Sequence, residues 1–354
     1  MALLVGDIGD CRAMTTSQSD FQLNRPGALI AALPAVLGFV PEKSLVLVTV
    51  DRGEMGCVMR VDLSPELFDS VGHVAEVAAA AGPDAAIAVV VDEAGAGCRL
   101  CTGEYRGLAK TLKDQLAEHG ITLIDFHVVD RVAAGGRWHC PGDGSWGSVD
   151  DPSTSPLALA AVLDGRRLYA RREELQSVIA VVDEDASAAL ADVISEQTDD
   201  ADAVRDIKCA MAAAARLAAG HAPAVSTVAR LARALTDPQV RDTLYALAVG
   251  DDAGQVEELW ALLARTLPAP WRAEALVLLA FSAYVRGDGP LAGVSLEAAL
   301  RCDPEHRMAA MLDQALQSGM RPEQIRELAA TGYRLAKQLG VKLPKPRDFR
   351  RQAG

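Results

Sequence analysis

Two cysteines three residues apart, in Cys98-Arg-Leu-Cys101, have a spacing that could do chemistry. They fall between an apolar run and a helical pattern, a setting in which helix-terminal N–H donors lower a thiol pKa and make a dithiol redox-active. The same spacing suits two zinc ligands, with His139 and Cys140 as the nearest further pair in sequence. A zinc finger repeats its short spacing and this chain does not, so ordinary reduced thiols are the leading reading, ahead of redox and zinc. Gly95 and Gly97, just ahead of the pair, suggest a mobile hairpin tip.

Residues 131–155 make the most site-like connection. Arg131, Trp138, His139, Cys140, Trp146 and the pair Asp150, Asp151 stand among glycines there. Long connections in compact domains tend to be functional or disordered. Arg166, Arg167, Arg171 and Arg172 follow, suited to an anion or, more simply, to an interdomain salt-bridge cluster. The candidate ligand-binding residues are therefore Arg131, Trp138, His139, Asp150, Arg166 and Arg171. The weak candidates for a metal are Cys98, Cys101, His139 and Cys140. Gly135 and Gly136 with Arg131 and Arg137 could receive a phosphate, yet neither Gly-x-x-x-x-Gly-Lys nor Gly-x-Gly-x-x-Gly follows a strand. Gly-x-Ser-x-Gly is absent, and Gly144-Ser145-Trp146-Gly147 does not replace it. Asp92 and Glu93 end an expected strand, where α/β ligands often bind and where acids are also simply solvated. Arg60 with Asp62 reads as a surface ion pair. No catalytic residue and no cofactor are assigned.

The elements that must hold these groups are organised around residues 34–50, PAVLGFVPEKSLVLVTV. Asn24 can cap a helix whose first turn accepts Pro26, because proline's missing donor is unpaired there anyway. Pro34 should kink that helix, and Gly38 supplies a left-handed stop. Residues 45–50 are apolar on both faces, as in a covered central strand. A glycine turn returns the chain as an antiparallel partner at 57–63. A helix then runs through about Ala81, a second apolar strand covers 85–92, a helix 104–119 and a strand 121–129. This succession predicts an α/β domain with a mixed sheet over residues 21–172, behind a disordered leader at 1–20.

From residue 173 strand signals stop and alanine-rich helical hairpins take over to about 340. Ala280, Gly287, Ala292, Leu296, Ala299 and Pro304 fall close to the small-residue and proline pattern of one tetratricopeptide unit. A general helical bundle with alanine at close contacts explains the same residues. Residues 341–354 form a basic tail.

The stretch at 34–50, Arg60-Val-Asp-Leu63, SPLALAAVLDGR at 155–166 and ARREEL at 170–175 together resemble an actinobacterial family known as domain of unknown function 4192. The resemblance runs from about Leu23 to beyond Asp313, and its most specific part is LGF-x-P-x-x-SLV at 37–46. It implies a cytoplasmic protein and brings no activity with it. Similar members often carry several cysteines after the tryptophan matching Trp138, where this chain has only Cys140 nearby.

The 354 residues carry a net charge of −13. Phosphates would be repelled, which argues against nucleic acid or an anionic membrane as partner, except at the basic tail. That tail is expected to be solvated or folded back on the acidic body. Half of the residues are hydrophobic and mean hydropathy is +0.13, yet no apolar run approaches the roughly 18 residues of a membrane span. The N-terminus lacks the pattern of a secretory signal, and seven irregularly placed cysteines fit reduced thiols, so a cytoplasmic location is expected. The sequence points to an interaction or regulatory module with a protein partner on its helical half. The alternative is an enzyme or ligand sensor with a pocket at the sheet end near residues 131–155.

Overall fold

Helix α1 (Pro26–Leu37) shows how local signals fix the first element. Pro26 occupies its first position and Arg25, in extended backbone, is the cap residue. The sequence points to Asn24 as the cap; proline's fixed φ sets the start one residue later, and no side chain caps it. Pro34 lies inside α1 without ending it. Gly38 stops the helix at φ 75, its N–H donating to Pro34 O at 2.9 Å. Only a residue without Cβ enters that region freely.

The computed structural model describes residues 4–6, 24–80, 82–163, 168–197, 202–318, 320 and 322–347. It divides into two units, Met1–Leu175 with Leu316–Gly319, and Gln176–Ala315 with Met320–Gly354.

In the first unit, β2 (Ser44–Asp51) is an interior strand and is buried at every position but its last. It turns through Arg52 and Gly53, both at positive φ, into the antiparallel β3 (Glu54–Asp62). Such a two-residue turn matches the twist of the strands it joins. Helix α2 (Leu67–Ala79) leads to β4 (Ala85–Val91), antiparallel to β2 on its other side. Helix α3 (Arg99–Glu118) then crosses to β5 (Thr122–Val129), parallel to β4. The sheet order is β1-β3-β2-β4-β5-β6-β7, where β1 is Leu4–Gly6, β6 is Arg137–His139 and β7 is Trp146–Ser148. Leu4–Gly6 falls in the stretch read as a disordered leader and pairs with β3; the rest of that stretch lies outside the described residues. Leu45, Leu47, Met59 and Val61 pack with Leu67, Val71, Leu108 and Leu112 of α2 and α3. Each such burial contributes about 1.5–3 kcal/mol. Helix α1 packs with α4 (Pro156–Leu163).

The connection at 131–155 is partly sheet, because β6 and β7 pair antiparallel within it. Strands of three residues are too short to show a period of two. Gly147 lies against the Trp138 ring, which a Cβ there would approach to 2.8 Å.

The second unit is helical. The division falls within α5 (Arg172–Ser177), and α6 (Glu184–Glu196), α7 (Ala203–Ala218), α8 (Val225–Leu235), α9 (Pro238–Leu244) and α10 (Ala253–Thr266) follow. Then come α11 (Trp271–Val285), α12 (Gly289–Cys302), α13 (Arg307–Gln317) and α14 (Pro322–Gln338). Asp183, Asp202, Asp237 and Asp288 cap their helices by accepting a backbone N–H. Helices α11 and α12 pair closely, with Ala280, Ala292, Leu296 and Ala299 buried. Among the described residues no helix is long and apolar enough to cross a membrane.

Candidate functional site

The carboxyl ends of the parallel pair β4 and β5 are tied by the Asp92 amide, which donates to Val129 O at 2.9 Å. The Asp92 carboxylate accepts the Tyr105 hydroxyl at 2.5 Å and the Ala94 N–H at 3.2 Å. Gly95 sits flush on this pair: a Cβ there would collide with Tyr105 Oη and Asp92 Oδ2. Burial, and then the hydrogen bond to Asp92, push the Tyr105 phenol well above its usual range. The tight Asp92–Gly97 connection delivers the chain to Cys98, the cap residue of the 20-residue helix α3.

Cys98 is extended, and its carbonyl accepts the Thr102 N–H at 3.0 Å and the Thr102 hydroxyl at 2.9 Å. Its side chain makes no cap hydrogen bond, and its place beside the Cys101 and Leu100 N–H groups and the Cys101 thiol holds the Cys98 thiol below its ordinary pKa. Cys101 moves the opposite way. Its hydrogen bond to Cys98 comes first, then burial, then the neighbouring negative groups Cys98, Glu104 and Asp92. Both thiols are half-buried, and Cys101 packs on the core beneath α3.

The remaining candidates occupy the β6–β7 hairpin and its surroundings. Arg131 is exposed and paired with Asp130 at 3.1 Å, while Asp130 also accepts the Arg137 N–H at 2.8 Å. Trp138 donates its indole N–H to Ser148 O at 3.3 Å and stands edge-on to His127, ring centroids 5.1 Å apart. His139 is half-buried, and burial lowers its pKa. Asp150 pairs with Arg25 at 3.2 Å, and Arg171 is exposed just before α5. Arg166 lies outside the described residues. Among the described residues no group of three or more His, Cys, Asp or Glu side chains could hold a metal, so Cys98, Cys101, His139 and Cys140 do not converge on one centre. Cys140 serves its own hairpin, donating its thiol to Asp143.

Two features escape the sequence reading. His127 is buried beside Trp138, with burial lowering its pKa against the opposing charges of Asp125 and Asp143. The second unit holds a cavity of about 320 Å³ lined by Ile179, Val294 and Ala298 and by Arg272, Glu297 and Arg301. Arg272 is built in, donating to Ile179 O at 2.6 Å and Ala264 O at 2.7 Å.

Residues 26–323 match the family described as domain of unknown function DUF4192. The chain belongs to this family. The DUF4192 match begins at the first residue of α1 and ends in the first turn of α14, so it takes in both the dithiol corner and the helical cavity. Neither a curated protein nor a solved structure matches the chain.

Proposed function

We propose that this DUF4192 chain is an interaction module whose helical unit holds a segment of a protein partner. One observation carries the reading. The cavity of about 320 Å³ lies on the α11–α12 hairpin, the stretch whose small residues resemble a tetratricopeptide unit. Small residues let paired helices approach closely, and Ala280, Ala292 and Ala299 are buried between them. The cavity offers an apolar lining at Ile179, Val294 and Ala298, with an exposed guanidinium at Arg301 on its rim, paired at 4.0 Å with Glu297 of the same lining. Those groups suit an apolar side chain next to a carboxylate.

The test is quantitative affinity capture from the cytosol of an actinobacterium with the wild-type chain and Arg301→Glu, followed by titration of the purified partner. The expected result is a partner recovered by the wild type and bound at least about tenfold more weakly by the variant, roughly 1.4 kcal/mol. Equal recovery by both, or none by either, removes the reading. The alternative, an enzyme or ligand sensor at the sheet end near residues 131–155, rests on Asp92 and Asp130 standing together beyond β4 and β5. Thermal-shift screening against nucleotides tests it, and an unchanged Tm throughout sinks it.

A further inference from the structure

We propose that Cys98 and Cys101 form a thiol–disulfide exchange site that takes a disulfide as substrate, with Cys98 as the attacking sulfur and Cys101 as the resolving one. Three features of the fold support the assignment. Cys98 is the cap residue of a 20-residue helix that follows a strand of the parallel pair, which sets its thiol at the helix N-terminus beside the unpaired N–H groups of the first turn. Those donors stabilise a thiolate more than a thiol. Cys101 is one turn further in on the same helix and packed on the core, which places the second sulfur behind the first. Approach to the pair is open, because Arg99 and Leu100 between the cysteines are exposed, Leu100 at 82%. The opposite pKa displacements of the two thiols agree with this division of labour.

The chemistry balances without a cofactor. The Cys98 thiolate attacks one sulfur of R–S–S–R′; the S–S bond breaks and R′S⁻ leaves and takes up a proton. Cys101 then loses its proton to solvent and attacks the Cys98 sulfur, expelling RS⁻, which is protonated in turn. The dithiol is oxidised to a disulfide by two electrons, and the substrate is reduced to two thiols. Cys57, Cys140, Cys209 and Cys302 are cysteines elsewhere among the described residues that are in no disulfide, and they serve as internal controls. Burial pushes the Cys209 thiol up, so it should react slowly.

The test uses the full chain, reduced and then exposed to a graded series of reduced and oxidised glutathione, acid-quenched and peptide-mapped. The expected product is a bond between Cys98 and Cys101, with the four control thiols unchanged. Cys101→Ser should stop at a glutathione mixed disulfide on Cys98, and Cys98→Ser should leave Cys101 unmodified. Serine is a favoured cap residue, so the second variant keeps the start of α3, which circular dichroism verifies. Iodoacetamide at neutral pH should alkylate Cys98 at least about tenfold faster than Cys209. The proposal is overturned if the pair stays reduced under excess oxidised glutathione, or if Cys101→Ser carries glutathione on the control thiols as readily as on Cys98. Both outcomes are independent of the helical cavity, since Arg301→Glu touches neither cysteine.

Discussion

Arg60 is a charge enclosed by the first unit, with only 5% of its surface exposed. Its Nη2 donates to Asp62 at 2.5 Å and to Glu42 O at 3.3 Å, while Nε and Nη1 have no partner among the described residues. Asp62 also faces Arg172 at 3.8 Å, so one carboxylate serves two guanidinium groups. Burial lowers the Arg60 pKa, opposed first by Asp62. The sequence reading of Arg60 and Asp62 as a surface pair is corrected for Arg60 and holds for Asp62, which is half exposed. Alternation put both on one face of β3, and no local signal says that this face is covered at one residue and open two residues later. Removing a partner from an enclosed charge costs more than removing the charge itself. Asp62→Ala should therefore destabilise by about 1–3 kcal/mol, less than a fully enclosed pair because Asp62 sees solvent, while Arg60→Met should stay within about 1 kcal/mol of wild type. Urea midpoints of the two variants decide it, and equal losses would refute the asymmetry.

At the scale of elements, the β6–β7 hairpin is held by α1 as much as by the sheet. Asp150 N–H donates to Gly27 O at 3.2 Å, Arg25 pairs with Asp150, and a Cβ at Gly27 would collide with Ser148 O. Gly27→Leu should cost about 1–3 kcal/mol and raise amide hydrogen exchange in β6 and β7 above that in β2. Unchanged exchange there would mean that α1 does not pin the hairpin. The same region carries a pH dependence. His127 and His139 both have folded pKa values depressed by burial, below about 6.5 in the unfolded chain. Below that value the unfolded state binds more protons, so the stability these neutral rings support is present above about pH 6.5 and is lost as pH falls through the folded values. His127→Gln should flatten the fall in urea midpoint between about pH 7.5 and 5.5, and a slope equal to wild type would exclude His127 as its source. Elements with long apolar patterns, such as β2 and β4, were legible because burial on both faces leaves a continuous run in the sequence. The hairpin was not, since its strands are held by backbone pairing and a glycine contact that leave no pattern. The Cys98–Cys101 spacing could be seen in the sequence because the two residues are three apart, whereas their place at the start of α3 needed the fold. The helical cavity was not legible, because it joins Ile179 to Arg272 across 93 residues.

For the whole molecule, a net charge of −13 leaves the basic C-terminal stretch as a place where a polyanion could be attracted locally. The described part of that stretch is already engaged within the helical unit. Arg347 donates its N–H to Val249 O at 2.8 Å and its guanidinium to Asp251 O at 2.6 Å. Asp251 N–H returns a bond to Lys345 O at 3.1 Å, and Tyr333 donates to Pro344 O at 2.9 Å. A strap bound through its backbone serves the fold first. At about 0.5–1.5 kcal/mol for each hydrogen bond, a chain ending at Val341 should lose about 2–4 kcal/mol in the helical unit. Fluorescence anisotropy with single-stranded and duplex DNA near 0.15 M salt should show no binding by either form, because the counterion release that drives such binding needs several free cations on one face. If the strap instead exists for nucleic acid, the full chain binds DNA with a steep salt dependence, the shortened chain does not, and the two melt at the same temperature. Lower stability without any change in DNA binding identifies the tail as a structural clasp.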